Sequence, residues 1–179
     1  MLENRTLSVF TENRVGLLAR VTSVFTRRNV NIESLTVSES EVSGIHRFTI
    51  VAHVTRELAD KMAAQLEKQV EVIKAFVHDE AQVIHRDLAL YKIELPRGGG
   101  GAILGRVLGD HGARELLREA DFCVIEKTGS PDDIAALLIA LEPFGVLEFV
   151  RSGSVALTRP MKKLSAFLNE LEEAHVASW

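Results

Sequence analysis

The first eighty residues alternate between strand-like and helix-like hydrophobic periods in a regular order. Apolar residues recur at every second position in the strand-like segments and at every third or fourth position in the helix-like ones. The order is strand, helix, strand, strand, helix, strand, near residues 6–10, 15–28, 31–38, 46–54, 57–68 and 70–77. This βαββαβ order predicts a ferredoxin-like domain, in which a four-stranded antiparallel sheet carries two helices on one face. The other face is expected to be bare and to need a partner subunit or domain.

Two of these elements carry the clearest patterns. The third strand is predicted to place four apolar side chains on one face, Phe48, Ile50, Ala52 and Val54, and three residues on the other, Thr49, Val51 and His53. The first helix is predicted to bury one apolar stripe, formed by Val15, Leu18, Val21, Val24 and Phe25.

A second, weaker copy of the pattern follows a polar stretch at residues 78–86. Its predicted strands lie near residues 88–95, 114–117, 122–127 and 146–157, and its helices near residues 103–108 and 132–141. The second of these helices has the better signals, because Ser130 can cap it, Pro131 suits its first position, and Pro143 and Gly145 suit its end. The prediction is an α+β chain of two ferredoxin-like (βαββαβ) domains.

The predicted domains are residues 1–80 and 81–160, followed by a helical tail at residues 161–179. The tail contains an amphipathic segment with Leu164, Phe167, Leu168 and Leu171, which is expected to pack on the domain or on a partner.

Composition excludes several functional classes. The formal charge is −4, the basic residues are dispersed, and neither a basic patch nor a helix-turn-helix pattern marks a nucleic-acid surface. The N-terminus has no signal-peptide pattern, and the longest apolar run, Ala135 to Leu141, is too short to cross a membrane, so a cytoplasmic protein is expected. The single cysteine, Cys123, lies in an apolar run and is expected to be a buried thiol.

No pattern in the sequence indicates an active site or a metal site. The six histidines include no pair at helical spacing, and no serine lies in a nucleophile-elbow motif. A glycine run at residues 97–101 is followed by Gly105, which imitates the spacing of a phosphate loop. Arg106 and Val107 stand where such a loop needs Lys and Ser or Thr, so we interpret the run as a flexible loop.

Two segments of the first domain indicate a site for a small anion. Residues 12–21, ENRVGLLARV, lead from a strand through a polar turn into a helix, and Gly16 leaves the backbone amides at the helix start open to a ligand. Residues 29–37, NVNIESLTV, bring asparagine amides to the start of an extended run. The alternative is structural: Asn13 caps the helix, and Gly16 only allows tight packing.

The two segments belong to opposite ends of one predicted protomer. The loop with Asn13 follows the first strand, whereas Asn31 is reached from the far end of the first helix. If two protomers dock side by side through their sheet edges, the loop of one can face the second strand of the other. A ligand would then lie at a dimer interface and couple directly to subunit packing.

These segments resemble the regulatory small subunit of acetohydroxyacid synthase, also called acetolactate synthase, whose N-terminal half is an ACT domain. The resemblance continues through residues 67–76 (EKQVEVIKAF), 85–93 (HRDLALYKI) and 151–159 (RSGSVALTR). It is weakest at residues 97–119. The loop RGGGG and the long tail after Arg159 depart from the family pattern. The resemblance therefore does not predict which residues of the second half contact a partner, whereas the expected effector site is unaffected.

The resemblance implies a noncatalytic subunit that works on a separate large subunit. Thiamine diphosphate, Mg²⁺ and FAD would belong to that catalytic partner, and this chain would hold no cofactor. The chain would bind and activate the partner and make it sensitive to feedback inhibition by valine, and in some members by leucine or isoleucine. The effector would contact four residues of one protomer and two of the other: Asn13, Gly16, Leu17 and Leu18, then Asn31 and Ile32.

The physical chemistry of those positions agrees with an amino acid ligand. The amides at Gly16 to Leu18 suit a carboxylate, the oxygens of Asn13 and Asn31 suit an ammonium group, and Leu17 and Ile32 can border an apolar side chain. Two alternatives stay open. One is a free-standing ACT-domain sensor that regulates another enzyme or a transcriptional system, and the other is an enzyme in its own right, for which the sequence offers no catalytic group.

Overall fold

The computed structural model describes residues 1–95 and 101–159, together with residues 166, 168 and 169, which are helical. The predicted glycine loop as far as Gly100, and most of the predicted tail helix, lie outside the described residues. The chain divides into two compact units. The first comprises Met1–Ile84 with the described residues from Ala156 onward, and the second comprises His85–Val155. The domain boundaries assigned from the sequence stay predictions.

The first unit has the predicted βαββαβ order. Its sheet is antiparallel, with the strand order β2-β3-β1-β4, so β1 and β3 lie in the middle and β2 and β4 at the edges. Its elements are β1 (Glu3–Glu12), α1 (Leu17–Thr26), β2 (Ser34–Glu39), β3 (Ile45–Val54), α2 (Arg56–Leu66) and β4 (Val72–Asp79). The prediction of an α+β ferredoxin-like unit is confirmed.

The core of the first unit lies between one face of this sheet and the two helices. The predicted alternation of β3 is confirmed, since Phe48, Ile50, Ala52 and Val54 are all buried. The predicted stripe of α1 is partly wrong. Val15 precedes the helix and is fully exposed, and Leu18 is about half exposed, whereas Leu17 is buried with Val21, Val24 and Phe25. The helix begins two residues later than predicted, so Val15 lies outside it, and the buried stripe starts at Leu17, which is four residues before Val21.

The opposite face of this sheet is not bare, contrary to the prediction. Ser8 and Phe10 on that face of β1 are almost fully buried in the single chain. The Arg47 guanidinium donates a hydrogen bond to Ser8 Oγ at 3.0 Å and lies 5.6 Å from the centre of the Phe10 ring, and the Phe76 ring packs edge-on against Phe10. Burial lowers the pKa of Arg47, and the negative charge of Glu41 partly offsets that effect. Long side chains therefore cover the middle of the face.

The second unit repeats the order, with one strand divided. Its sheet has the order β6-β7-β5-β8, and a further strand, β9, also pairs with β5. Its elements are β5 (Val83–Glu94), α3 (Gly101–Asp110), β6 (Arg114–Arg118), β7 (Phe122–Gly129), α4 (Pro131–Leu141) and β8 (Val146–Arg151). Strand β9 (Val155–Thr158) begins in this unit, and its residues from Ala156 onward fall in the first. The predicted second ferredoxin-like unit is confirmed, but the single strand predicted at residues 146–157 is two strands.

The break between β8 and β9 has a clear physical cause in a buried carboxylate. Asp87 accepts a hydrogen bond from Ser154 Oγ at 2.5 Å, and the Nε atom of Arg151 lies 3.5 Å from its second oxygen. Ser152 turns its hydroxyl to accept a hydrogen bond from the Leu88 amide at 3.0 Å. A buried polar group needs such partners, and the bend at residues 152–154 supplies them.

Helix α4 begins as its sequence predicts. Ser130 Oγ accepts a hydrogen bond from the Asp133 amide at 3.2 Å, and the Asp133 carboxylate accepts one from the Ser130 amide at 2.9 Å. The pKa of Asp133 is lowered, because its carboxylate accepts hydrogen bonds first from the Ser130 amide and second from the Ser130 side chain, and these favour the charged form. No helix among the described residues is long and apolar enough to cross a membrane.

Tyr91, the only tyrosine of the chain, lies in the core of the second unit. Its hydroxyl donates a hydrogen bond of 2.8 Å to the Ile134 carbonyl oxygen and so links β5 to α4. Burial raises the pKa of Tyr91 to about 12, because the ionised phenolate loses its hydration; the nearby charge of Arg151 opposes this effect.

We expect the free energy of unfolding to decrease as the pH rises from 10 to about 12, the interval between the ordinary and the raised pKa of Tyr91. Unfolded chains ionise Tyr91 in this interval and folded chains do not, so the stabilisation is complete below pH 10. Tyr91→Phe should remove this part of the pH dependence and cost about 1–3 kcal/mol at neutral pH, since the Ile134 carbonyl loses its donor.

The measurement is urea unfolding at several pH values, with the ultraviolet absorbance of the tyrosinate ion as a direct titration of this single tyrosine. An apparent pKa near 10 in the folded protein would contradict the burial assigned to Tyr91.

Candidate functional site

The loop between β1 and α1 is open to solvent and has an uncapped helix start. Gly16 is the N-cap residue of α1, with φ at 80°, and no side chain makes a capping hydrogen bond there. An added Cβ at Gly16 would meet no atom within 4 Å. The purely structural interpretation of Asn13 and Gly16 is therefore wrong on both points. Asn13 does not cap the helix, and Gly16 is not at a tightly packed contact.

The first amides of α1 are available for an anion. Leu17 N–H makes a long hydrogen bond of 3.3 Å to the Arg14 carbonyl oxygen, and the next two amides, those of Leu18 and Ala19, have no capping side chain. The first turn of any α-helix has amides that its own carbonyls cannot satisfy, and the helix dipole adds positive potential at that end. This arrangement matches a carboxylate or another small anion.

The loop is anchored on both of its sides. The Glu12 amide donates a hydrogen bond of 3.0 Å to the Glu71 carbonyl oxygen, at the turn before β4. The Glu71 side chain then pairs with Arg20 of α1 at 2.7 Å. A second ion pair, Arg14 with Glu12 at 3.0 Å, is exposed and contributes little stability. The loop is therefore held in place by its connections to α1 and β4.

The apolar residues around the loop differ in their availability. The Leu17 side chain is only 3% exposed and belongs to the core, so only its backbone can face a ligand. Leu18 is 49% exposed, and Val15, which the sequence placed on the buried stripe, is fully exposed at the tip of the loop. An apolar residue within an otherwise polar turn was the sequence signal for this exposed position.

Asn31 and Ile32 lie just before β2, in the segment that connects α1 to the sheet. After α1 the chain turns at Asn29, which has φ at 53°, and the Val30 amide donates a hydrogen bond of 3.1 Å to the Phe25 carbonyl oxygen. The Asn31 side chain is exposed, and Ile32 is half-buried against the core of the first unit.

One protomer does not bring the two halves of the candidate site together. The distance between the halves can be measured along β3, because this strand pairs with both β1 and β2. Ile45 lies opposite Glu12, and Val51 lies opposite Ser34. The step from Ile45 to Val51 spans about 20 Å at the usual rise of about 3.3 Å per strand residue. Asn13 and Gly16 are therefore at one end of the sheet, and Asn31 is at the other.

A cluster of metal ligands and a reactive thiol are both absent from the residues that the structure describes. No group of three or more His, Cys, Asp or Glu side chains among them could hold a metal ion. Cys123 is a free, buried thiol, as predicted, and burial raises its pKa, which keeps it in the unreactive protonated form. Gly105 and Arg106 lie inside helix α3, so this part of the chain does not form a phosphate loop.

Comparisons with known proteins agree with the two-unit architecture. The sequence model described as the "AHAS small subunit-like ACT domain" matches residues 7–74, and the model described as the "small subunit of acetolactate synthase" matches residues 86–160. The chain is therefore an ACT-domain protein with a second, family-specific domain.

Relatives over almost the whole length support the same assignment. The chain is 37% identical to the acetolactate synthase small subunit of Mycolicibacterium smegmatis over 161 residues, which is 90% of this chain and 94% of that protein. It is 34% identical to the Bacillus subtilis small subunit, over 87% of this chain and 90% of that protein. The chain belongs to the family of acetolactate synthase small subunits, and this supports a regulatory rather than a catalytic role.

A solved structure has the same fold across most of the chain. The crystal structure of the acetolactate synthase small subunit from Thermotoga maritima superposes with a TM-score of 0.81 at 26% sequence identity. The match covers 89% of this chain and 99% of that one. The two-unit fold is therefore shared with a known member of the family.

Proposed function

We propose that this chain binds and activates the catalytic large subunit of acetolactate synthase and makes it subject to feedback inhibition by valine or another branched-chain amino acid. The observation that carries the proposal is the uncapped start of α1 at Gly16, inside a unit that matches the ACT domain of this family. The proposal places thiamine diphosphate, Mg²⁺ and FAD in the large subunit and both subunits in the cytoplasm.

The contrast between helix ends in the same chain supports an effector site at α1. Thr55 Oγ1 accepts a hydrogen bond from the Leu58 amide at the start of α2, and Ser130 caps α4. A glycine at the N-cap costs only about a few tenths of a kcal/mol relative to such a cap, so α1 leaves its first amides open at little cost. The open amides at Leu18 and Ala19 are then free to bind a carboxylate, and exposed Leu18 can contact an apolar effector side chain.

A two-fold dimer through β2 would complete the site. Antiparallel pairing of β2 with its symmetry mate reverses the direction of the partner, so the end with Asn31 approaches the end of the partner with Asn13 and Gly16. The ammonium group of the effector would then meet the side-chain oxygens of Asn13 from one protomer and Asn31 from the other. Ile32 would border the effector from the second protomer.

An effector at this interface acts only if it prefers one packing of the two protomers to another. The usual strength of such coupling is about 1–3 kcal/mol, or roughly a 5- to 150-fold change in affinity. Because the site contains groups from both chains, a small change in their relative position changes the number of contacts with the effector. That difference would reach the large subunit through whichever surface it contacts.

The direct test is reconstitution with a catalytic large subunit. We expect this chain alone to form no acetolactate, the mixture to form it faster than the large subunit alone, and valine to lower the rate of the mixture. Leucine and isoleucine, assayed in parallel, rank the effectors. An unchanged rate together with unchanged valine sensitivity would instead favour a free-standing ACT-domain sensor.

Gly16→Asp is expected to abolish inhibition by valine and to leave activation of the large subunit mostly intact. The added carboxylate would lie beside the amides that are to bind the effector carboxylate and would repel it. The measurement is the valine dependence of the reconstituted rate. Full valine sensitivity in this variant would disprove the site.

Two matched variants separate the effect of charge from the effect of backbone strain. Gly16→Asn has nearly the shape of the aspartate variant without its charge, and Asn tolerates a positive φ. Gly44 has the same φ of 80° and the same open surroundings, so Gly44→Asp introduces similar strain in the turn between β2 and β3. We expect the aspartate at residue 16 to have the largest effect of the three variants on inhibition.

Val37→Lys is expected to weaken a homodimer that forms through β2. Val37 is exposed near the middle of this edge strand, so a two-fold axis would bring the two introduced ammonium groups close together. The measurement is the molar mass from light scattering over a dilution series. Val37→Thr keeps a neutral β-branched side chain and serves as the control, and a lysine variant with the wild-type dissociation profile would exclude this interface.

A further inference from the structure

Asn31 makes one directional contact with its own chain. Its Nδ2 atom donates a hydrogen bond of 2.9 Å to Glu33 Oε1. Both side chains are exposed, and both precede β2. The sequence interpretation assigned a role to Asn31 and none to Glu33.

The chemistry of the two groups determines which way the Asn31 amide faces. An ionised carboxylate only accepts hydrogen bonds, whereas an asparagine side chain has a donating nitrogen on one side and an accepting oxygen on the other. Turning the amide over would place its oxygen against the negative charge of Glu33. The nitrogen is therefore held toward Glu33, and Oδ1 is left to accept a hydrogen bond from another group.

The backbone on both sides of Asn31 is anchored, so the orientation of this amide depends on its side-chain torsions. Before it, the Val30 amide is bonded to the Phe25 carbonyl oxygen at 3.1 Å. After it, the Glu33 amide is bonded to the Val51 carbonyl oxygen at 2.9 Å. Val30 and Ile32 also pack against the core of the first unit. The backbone hydrogen bonds therefore fix the distance between the Cα atoms of Asn31 and Glu33. At that distance the Glu33 carboxylate can accept a hydrogen bond from the Asn31 amide.

We propose that Glu33 is a positioning residue for amino acid recognition, which holds the Asn31 amide so that its oxygen accepts a hydrogen bond from the α-ammonium group of the effector. The inference rests on the proposed function, because it assumes that Asn31 meets the ammonium group. Glu33 acts through Asn31, so it selects for ligands with a free α-ammonium group without contacting them.

The test is calorimetric titration of the full-length chain with valine, for the wild type and a set of variants. Glu33→Ala should weaken valine binding about five- to tenfold, the scale of ordering one free side chain on binding. Glu33→Gln keeps an accepting oxygen beside Asn31 but also has a donating nitrogen that can bind the turned-over amide, so its affinity should lie between those of the wild type and Glu33→Ala. The double variant Asn31→Ala with Glu33→Ala should bind no more weakly than Asn31→Ala alone, because the two residues act as one unit.

A control variant tests for a general effect of removing a charge, and the melting temperature of each variant tests for a loss of stability. Glu57→Ala also removes an exposed carboxylate with one hydrogen bond, from Lys61 at 2.6 Å, and should leave valine binding unchanged. Three results would overturn the inference: wild-type affinity in Glu33→Ala, affinity in Glu33→Gln as weak as in Glu33→Ala, or a further loss when Glu33→Ala is added to Asn31→Ala. Absence of valine binding by the wild-type chain would overturn the proposed function itself, and this inference with it.

Discussion

The antiparallel pairing of β1 with β3 is the constraint on which the first unit depends. Ten residue pairs run from Glu3 opposite Val54 to Glu12 opposite Ile45, and they set the length and the two ends of the sheet. Because β3 also pairs with β2, the position of every strand end follows from this ladder. The loop that leads into α1 lies at one end, and the segment that leads into β2 lies at the other. A site that used both segments would therefore need a second protomer.

The start of α1 shows how a local loss of stability can serve binding. Two other helices of the chain, α2 and α4, have side-chain caps that satisfy their first amides. At α1 the corresponding position is Gly16, which adopts a left-handed conformation and offers no side chain. In the proposed site, a bound carboxylate would supply the missing hydrogen bonds, and binding would then stabilise the start of the helix.

Most of the secondary structure could be predicted from the sequence. The errors occurred where contacts between distant segments decide the outcome. The β3 pattern was correct at each position because an alternating strand with one buried face has a single possible register. The stripe of α1 was misassigned at Val15, which lies before the helix, and at Leu18, because Leu17 and Leu18 both have a helical spacing to Val21 and only packing decides which one is buried. The break at residues 152–154 was missed, because only the folded chain brings Asp87 near Ser154. The covered outer face was missed for the same reason, since Arg47 and Phe76 come from strands on either side of β1.

The sequence by itself determined the two βαββαβ units and the family, and it suggested the residue types of the proposed effector site, because hydrophobic period, turn residues and short motifs are local properties of the chain. Only the tertiary structure decided that Gly16 is an uncapped N-cap, that Leu17 belongs to the core, and that Asn31 is oriented by Glu33. These facts depend on helix starts, burial and hydrogen-bond partners, which arise when segments meet. The distance between Asn13 and Asn31 is of the same kind, since strand pairing sets it.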